Sequence, residues 1–163
     1  WLIVKFWLYF FATAPSFVTL CDILYKLAVN QICMKYNIEL ESKLIKKIFV
    51  KEKQSRLIEF IQTEKKRKKF INELNKNNLL QTDLFEEING NEFEVIESKI
   101  RKIKNLTKCY VISEISNLDG ELMEIKDALT QIIGSDSESI IVFGDCEIIY
   151  VEKEGFNNRL ISK

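Results

Sequence analysis

The hydrophobic pattern of the chain changes character twice. From Phe6 to Cys21 apolar and small residues run without a charge, between Lys5 and Asp22. From Ile38 to Val50 the apolar positions Leu40, Leu44, Ile45, Ile48 and Phe49 recur at helical spacing, and Leu57, Ile58 and Ile61 extend the stripe into a second helix or a continuation of the first. After Thr107 the apolar residues gather into short runs typical of strands.

Between these regimes, Gln62 to Lys69 contains no apolar side chain. At 100° per residue, Phe70 falls about 180° from Ile61, and Leu74 about 220° from it. The helix therefore either bends at the charged run, or projects its middle into water and packs different partners at its two ends. Asn75 to Asn78 ends this region. Thr82 or Asp83 is expected to cap a short helix over Leu84–Ile88, closed by Asn89-Gly90. Asn91 or Glu92 opens another, with Val95, Ile96, Ile100 and Ile103 on one face.

The last third predicts a sheet. Cys109–Ser113 reads as a strand, Asn117–Gly120 as a turn and Met123–Ile133 as a helix ending at Gly134. Ser139–Phe143 is a strand, Gly144-Asp145 a two-residue hairpin turn, and Cys146–Glu152 the return strand. Glu154-Gly155 turns again, and Arg159–Ser162 is expected as a last edge strand. The order β-α-β-β-(β) implies a small mixed sheet whose first two strands run parallel through a right-handed crossover. The runs Ile140–Phe143 and Ile148–Val151 do not alternate with polar residues, so both sheet faces should be covered: one by the crossover helix, the other by the N-terminal helices. The expected class is α+β: N-terminal helices on this sheet, preceded by a hydrophobic helical segment.

Composition sharpens the first boundary. Residues 1–33 hold both tryptophans, the only proline and eight of eighteen aromatics. Three readings fit this segment: a signal anchor or membrane helix, a hydrophobic helix buried in the domain, or upstream sequence that is not native, translation then starting at Met34. Residues 34–163 read as one α+β domain, to whose fold residues 1–33 are expected to be dispensable.

Charge divides that domain. Residues 34–80 carry 13 basic and 6 acidic side chains, net +7; residues 81–163 carry 9 and 17, net −8. The two poles can attract each other within the fold or form two outward surfaces.

The chain has no histidine, which removes the usual general base near neutral pH and the commonest metal ligand. Ser-His-Asp and Cys-His mechanisms are excluded. The four cysteines, Cys21, Cys33, Cys109 and Cys146, form no CxxC pair and read as reduced residues of a cytoplasmic protein, with Cys109 and Cys146 in the core. No phosphate-loop, dinucleotide or nucleophile-elbow pattern occurs, so no cofactor or metal is expected.

Two groups of charged residues remain. Lys65, Lys66, Arg67, Lys68 and Lys69 could contact phosphates, although no aromatic interleaves them to stack bases and a solvated helix face accounts for them. Asp119, Asp145 and Glu147 could form an acidic loop surface, although Gly144-Asp145 already suits a turn. The pieces Leu118-Asp119-Gly120, Ile132-Ile133-Gly134, Phe143-Gly144-Asp145, Tyr150-Val151-Glu152 and Arg159-Leu160-Ile161 resemble small bacterial proteins with no assigned activity. The Lys-, Ile-, Asn- and Glu-rich composition points the same way, to an AT-rich bacterial genome. The reading that follows is a bacterial cytoplasmic, non-enzymatic protein that binds a protein partner, as immunity proteins and antitoxins do. The alternatives are a nucleic-acid-associated protein using residues 64–69, and a domain tethered to a membrane by residues 1–33.

Overall fold

The computed structural model describes residues 35–154 and 159–163, apart from 75, 77 and 91. The hydrophobic segment, and every expectation placed on it, lies outside them. Tyr36–Lys163 forms one compact unit.

Three helices come first: α1 (Ile38–Ile48), α2 (Lys51–Ile61) and α3 (Glu64–Leu74). Asn37 caps α1, its Oδ1 accepting from the Leu40 amide at 3.0 Å. Glu39 and Glu41 in the first turn and Lys46 and Lys47 in the last complement the helix dipole. Beyond its last turn, the Phe49 carbonyl accepts from Gln54 Nε2 at 2.9 Å and Gln81 Nε2 at 2.8 Å. The chain breaks at Gln62-Thr63, so of the two sequence options the bend is the one adopted.

A short 3₁₀ turn (Thr82–Leu84) leads into strand β1 (Phe85–Glu87). This corrects the expected Leu84–Ile88 helix. Five residues are too few to stabilise a helix alone; their backbone pairs instead with the C-terminal strand, Phe85 opposite Ser162 and Glu87 opposite Leu160. Helix α4 (Glu92–Ile100) follows, then β2 (Lys108–Ser113), β3 (Leu122–Glu124), α5 (Ile125–Ile132), β4 (Ser139–Phe143), β5 (Ile148–Glu152) and β6 (Arg159–Ser162).

The six strands lie in the order β1-β6-β5-β4-β2-β3, every neighbouring pair antiparallel. The α+β class stands, but the sheet is not mixed. β2 and β4, expected to be parallel, are antiparallel, with Cys109 opposite Phe143 and Ser113 opposite Ser139. The cause is β3, a strand absent from the sequence reading, since that reading begins the helix at Met123 and so places Met123 and Glu124 in it. β3 returns the chain to the end of the sheet where β2 began, so α5 delivers β4 to the end where β2 stopped. The β-α-β crossover is real, but it joins β3 to β4, and β2 lies between them. β6 is likewise interior, flanked by β1 and β5, where an edge strand was expected.

Alternate side chains of the central strands fill two cores. Tyr110, Ile112, Ile140, Val142, Ile149 and Val151 pack with Leu44, Ile45, Leu57, Phe70 and the rest of the α1–α3 layer. Cys109, Val111, Ile141, Phe143, Tyr150 and Ile161 pack with Ile96 of α4 and Ala128, Leu129 and Ile132 of α5. Coverage of both faces explains the unbroken apolar runs.

Candidate functional site

The most concentrated polar chemistry lies between the α1–α3 layer and the sheet. Arg67, third of the five residues in the basic run, does not face water. α3 turns it inward on the same stripe as Phe70, Ile71 and Leu74, and it is 5% exposed. Its Nε and Nη2 donate to both carboxylate oxygens of Asp119 at 2.8 and 2.6 Å. Its Nη1 donates to Glu41 of α1, which is wholly buried. The guanidinium lies over the Tyr36 and Phe70 rings, 4.3 and 5.1 Å from their centroids. Tyr110 of β2 completes the group, its hydroxyl donating to Glu41 Oε1 at 2.6 Å and accepting from the Asn37 amide at 3.1 Å. The Ser113 amide donates to Asp119 Oδ1 at 3.3 Å.

This arrangement corrects two of the candidates read from the sequence. Arg67 is not an exposed anion contact, and Asp119, 5% exposed, is not part of an acidic loop surface. Residues assigned to separate sites form one buried ion pair joining the basic and acidic halves. A fork-shaped guanidinium held by both oxygens of a carboxylate is the geometry arginine favours when buried.

The electrostatics follow from two carboxylates sharing one cation. Burial pushes the Glu41 carboxyl above its ordinary range, against the pull of Arg67 and Tyr110. Burial works against the Arg67 charge, but Asp119 and Glu41 outweigh it and hold the guanidinium well above its usual value. Burial and the Glu41 charge raise the Tyr110 phenol. A cavity of about 400 Å³ opens beside this group, lined by Tyr36, Glu64, Arg67, Lys68, Asn72 and Asp119 among others. The charged groups at its floor are already committed to one another.

The remaining basic candidates separate by exposure. Lys65, Lys68 and Lys69 face solvent at i, i+3 and i+4, a single stripe on α3. Lys66 is half-buried and pairs with Glu59 of α2 at 2.5 Å.

At the β4–β5 hairpin the expected two-residue turn is a four-residue loop, Gly144–Glu147, and the return strand begins at Ile148, opposite Phe143. Gly144 and Cys146 both take positive φ, and the Glu147 amide bonds back to the Phe143 carbonyl at 3.1 Å. The exposed Glu147 carboxylate sits over Gly144 and would have to swing aside for a Cβ there. Asp145 and Glu147 are exposed as expected. Asp145 pairs with Lys43 of α1, a second link between the two charge poles.

Cys109 and Cys146 are buried and free of disulfides, as the sequence suggested. Burial, with the Glu124 charge, pushes the Cys109 thiol up to about 12. Burial and Asp145 raise Cys146, against Lys43 and Lys47. Neither is poised as a nucleophile.

A second cluster, missed in the sequence, lies on the opposite sheet face. Arg159 of β6 donates to Glu152 Oε1 at 3.1 Å and to Glu92 of α4. Tyr150 donates to Glu152, which also accepts from the Gly134 amide at 3.1 Å. Each face of the sheet is thus pinned to its helices by one arginine, two carboxylates and a tyrosine. Among the described residues, no group of cysteine, aspartate and glutamate is placed to hold a metal, and no helix is long and apolar enough to cross a membrane.

No family model matches the chain, and no match was found among curated proteins or solved structures.

Proposed function

We propose that the domain is a non-catalytic protein that binds a protein partner, in the manner of bacterial immunity proteins and antitoxins, and acts in the cytoplasm. The observation carrying this reading is the division of surface charge between the N-terminal helical layer and the rest of the domain. The α1–α3 layer presents Lys46, Lys47, Lys51, Lys53, Lys65, Lys68 and Lys69 to solvent, while Asp83, Glu86, Glu87, Glu94, Glu121, Glu124 and Asp127 are exposed over the remainder, where Glu97 of α4 pairs with Arg101. Complementary charge of this kind selects and orients a partner. Buried Arg67, half-buried Arg159 and their carboxylates support the same reading, because they are engaged in holding layers together.

The test is affinity capture with the full-length chain from the cells that make it. A stoichiometric protein partner is expected; capture of none would overturn the reading.

A second reading, association with nucleic acid, draws on the Lys65, Lys68 and Lys69 stripe. It requires affinity whose logarithm falls linearly with log salt, and a shallower slope when the three lysines become alanine. Arg67 is no part of that test, since its guanidinium is buried against Glu41 and Asp119.

A further inference from the structure

We propose that α3 is the element on which the partner docks, and that it takes an acidic helix, whose carboxylates seat on the row Lys65, Lys68 and Lys69. The inference rests on the partner-binding reading. It adds which element binds and what chemistry the bound surface carries.

The phase of α3 sets the row. Arg67, Phe70, Ile71 and Leu74 occupy its buried side, so Lys65, Lys68 and Lys69 project into water. Lys68 and Lys69 stand about 4.5 and 6 Å along the axis from Lys65. None of the three has an ion-pair partner among the described residues, whereas Lys66 pairs with Glu59 and Lys76 with Glu73. Like charges at i, i+3 and i+4 repel one another, and an anionic partner relieves that repulsion.

The row is one helix wide. On one side α2 packs against α3, and packed helix axes lie about 8–10 Å apart. There Glu59 is paired with Lys66, and Arg56 with Glu73. Lys51 and Lys53 stand at the far end of α2, with Glu52 between them. On the other side lies the cavity of about 400 Å³, whose wall carries Glu64 and Glu114.

That width selects among anions. A DNA duplex brings two phosphate backbones, separated by grooves about 6 and 12 Å wide. With one backbone on the row, the other falls over the paired charges of α2 or towards Glu64 and Glu114. A lipid surface covers both flanks at once. An acidic helix instead carries carboxylates at i, i+3 and i+4 in a single row, at the spacing of the lysines. Exposed charges of this kind steer and orient the encounter, so the contact is sensitive to salt.

Fluorescence anisotropy of the full chain in a non-ionic detergent, at ~100 mM salt, tests this, the screening length there being about 10 Å. The probes are a hydrocarbon-stapled helix with three glutamates on one face, an isomer with the same glutamates spread round the helix, and a short DNA duplex. The one-faced helix should bind at least ~10-fold more tightly than its isomer or the duplex, a difference of about 1.4 kcal/mol. Lys65→Glu/Lys68→Glu/Lys69→Glu should weaken it at least ~10-fold, and Lys46→Glu/Lys51→Glu/Lys53→Glu by less than ~2-fold. All six lysines are exposed and both variants change net charge equally, so circular dichroism should match the parent and unequal losses locate the contact. Absence of binding, equal binding of the isomer, or equal loss in the two variants would overturn the proposal. Tighter binding of the duplex would also overturn it and assign the row to nucleic acid. Capture of a protein through another surface would survive those results, whereas capture of none alongside binding of the one-faced helix would count against the partner-binding reading instead.

Discussion

Arg67 and Glu41 were legible in the sequence in a way that runs of like residues conceal. Glu41 precedes Leu44, Ile45 and Ile48 by three, four and seven positions, and Arg67 stands in the same relation to Phe70, Ile71 and Leu74. Each is therefore on its helix's apolar stripe, one turn upstream of the first buried hydrophobe. The basic run hides this, because five consecutive cations look equivalent until the helical phase is followed through them. Asp119 had no such signal, since a loop residue carries no periodicity. Removing one partner of a buried pair leaves the others charged and unpaired. Arg67→Ala should therefore cost about 3–5 kcal/mol in urea unfolding, whereas Lys65→Ala should fall within about 0.5 kcal/mol of the parent. Equal effects would contradict the assignment of Arg67 to the core.

Glu41 gives a signed pH dependence. Its folded pKa lies above the ordinary value of 4.5, so the folded state holds this proton more tightly than the unfolded chain does. The ionised form therefore costs stability, in full above the folded value, and the cost vanishes as pH falls below 4.5. Glu59, Glu73, Glu86 and Glu92 have lowered values, and their stabilisation is lost as pH falls through those values. Glu41→Gln should thus gain on the parent at neutral pH and lose that advantage as pH approaches 4.5 from above. A difference between the two proteins that stays constant with pH would refute the raised value. Chemical denaturation of both across this range supplies the measurement.

At the scale of elements, long periodic segments and paired apolar runs were readable, and three-residue strands were not. α1, α2 and α4, and strands β2, β4 and β5, fall where pattern places them. β1 and β3 are too short to show alternation and exist because a neighbouring strand supplies their hydrogen bonds. Missing β3 was enough to reverse the expected direction of β4. The register also predicts which amides are protected. The Ile125 amide bonds to the Thr107 carbonyl and the Val111 amide to the Glu121 carbonyl. By antiparallel alternation, Leu122 and Glu124 point their amides away from β2. In native-state hydrogen exchange these two should exchange fast, while Ile141 and Val142 in interior β4 should be among the slowest. Protection of Leu122 would indicate a strand bound along that edge. At the hairpin, Gly144→Ala should cost at least about 1–3 kcal/mol, from the left-handed backbone alone; a neutral effect would show that the loop is not held in this conformation.

For the whole molecule, the covered sheet and the division of charge were readable from the chain, because both are sums over many residues and survive local misreadings. The direction of the sheet and the joining of the poles through Arg67–Asp119 and Lys43–Asp145 required the fold. Tyr36–Lys163 holds both cores and both arginine clusters. Expressed alone, that span should unfold in a single cooperative thermal transition; a molten product rescued by residues 1–35 would place those residues in the core.

If the charge-divided surface recognises a protein while the buried charges hold the fold, reversing the exposed charges should abolish recognition and leave the fold intact. The decisive measurement is quantitative capture with the parent, Lys65→Glu/Lys68→Glu/Lys69→Glu and Glu94→Lys/Glu97→Lys, each first verified as folded. One stoichiometric protein should be retained by the parent and lost with one of the two charge-reversed faces. Retention unchanged by both reversals, or capture of nucleic acid alone, would contradict this.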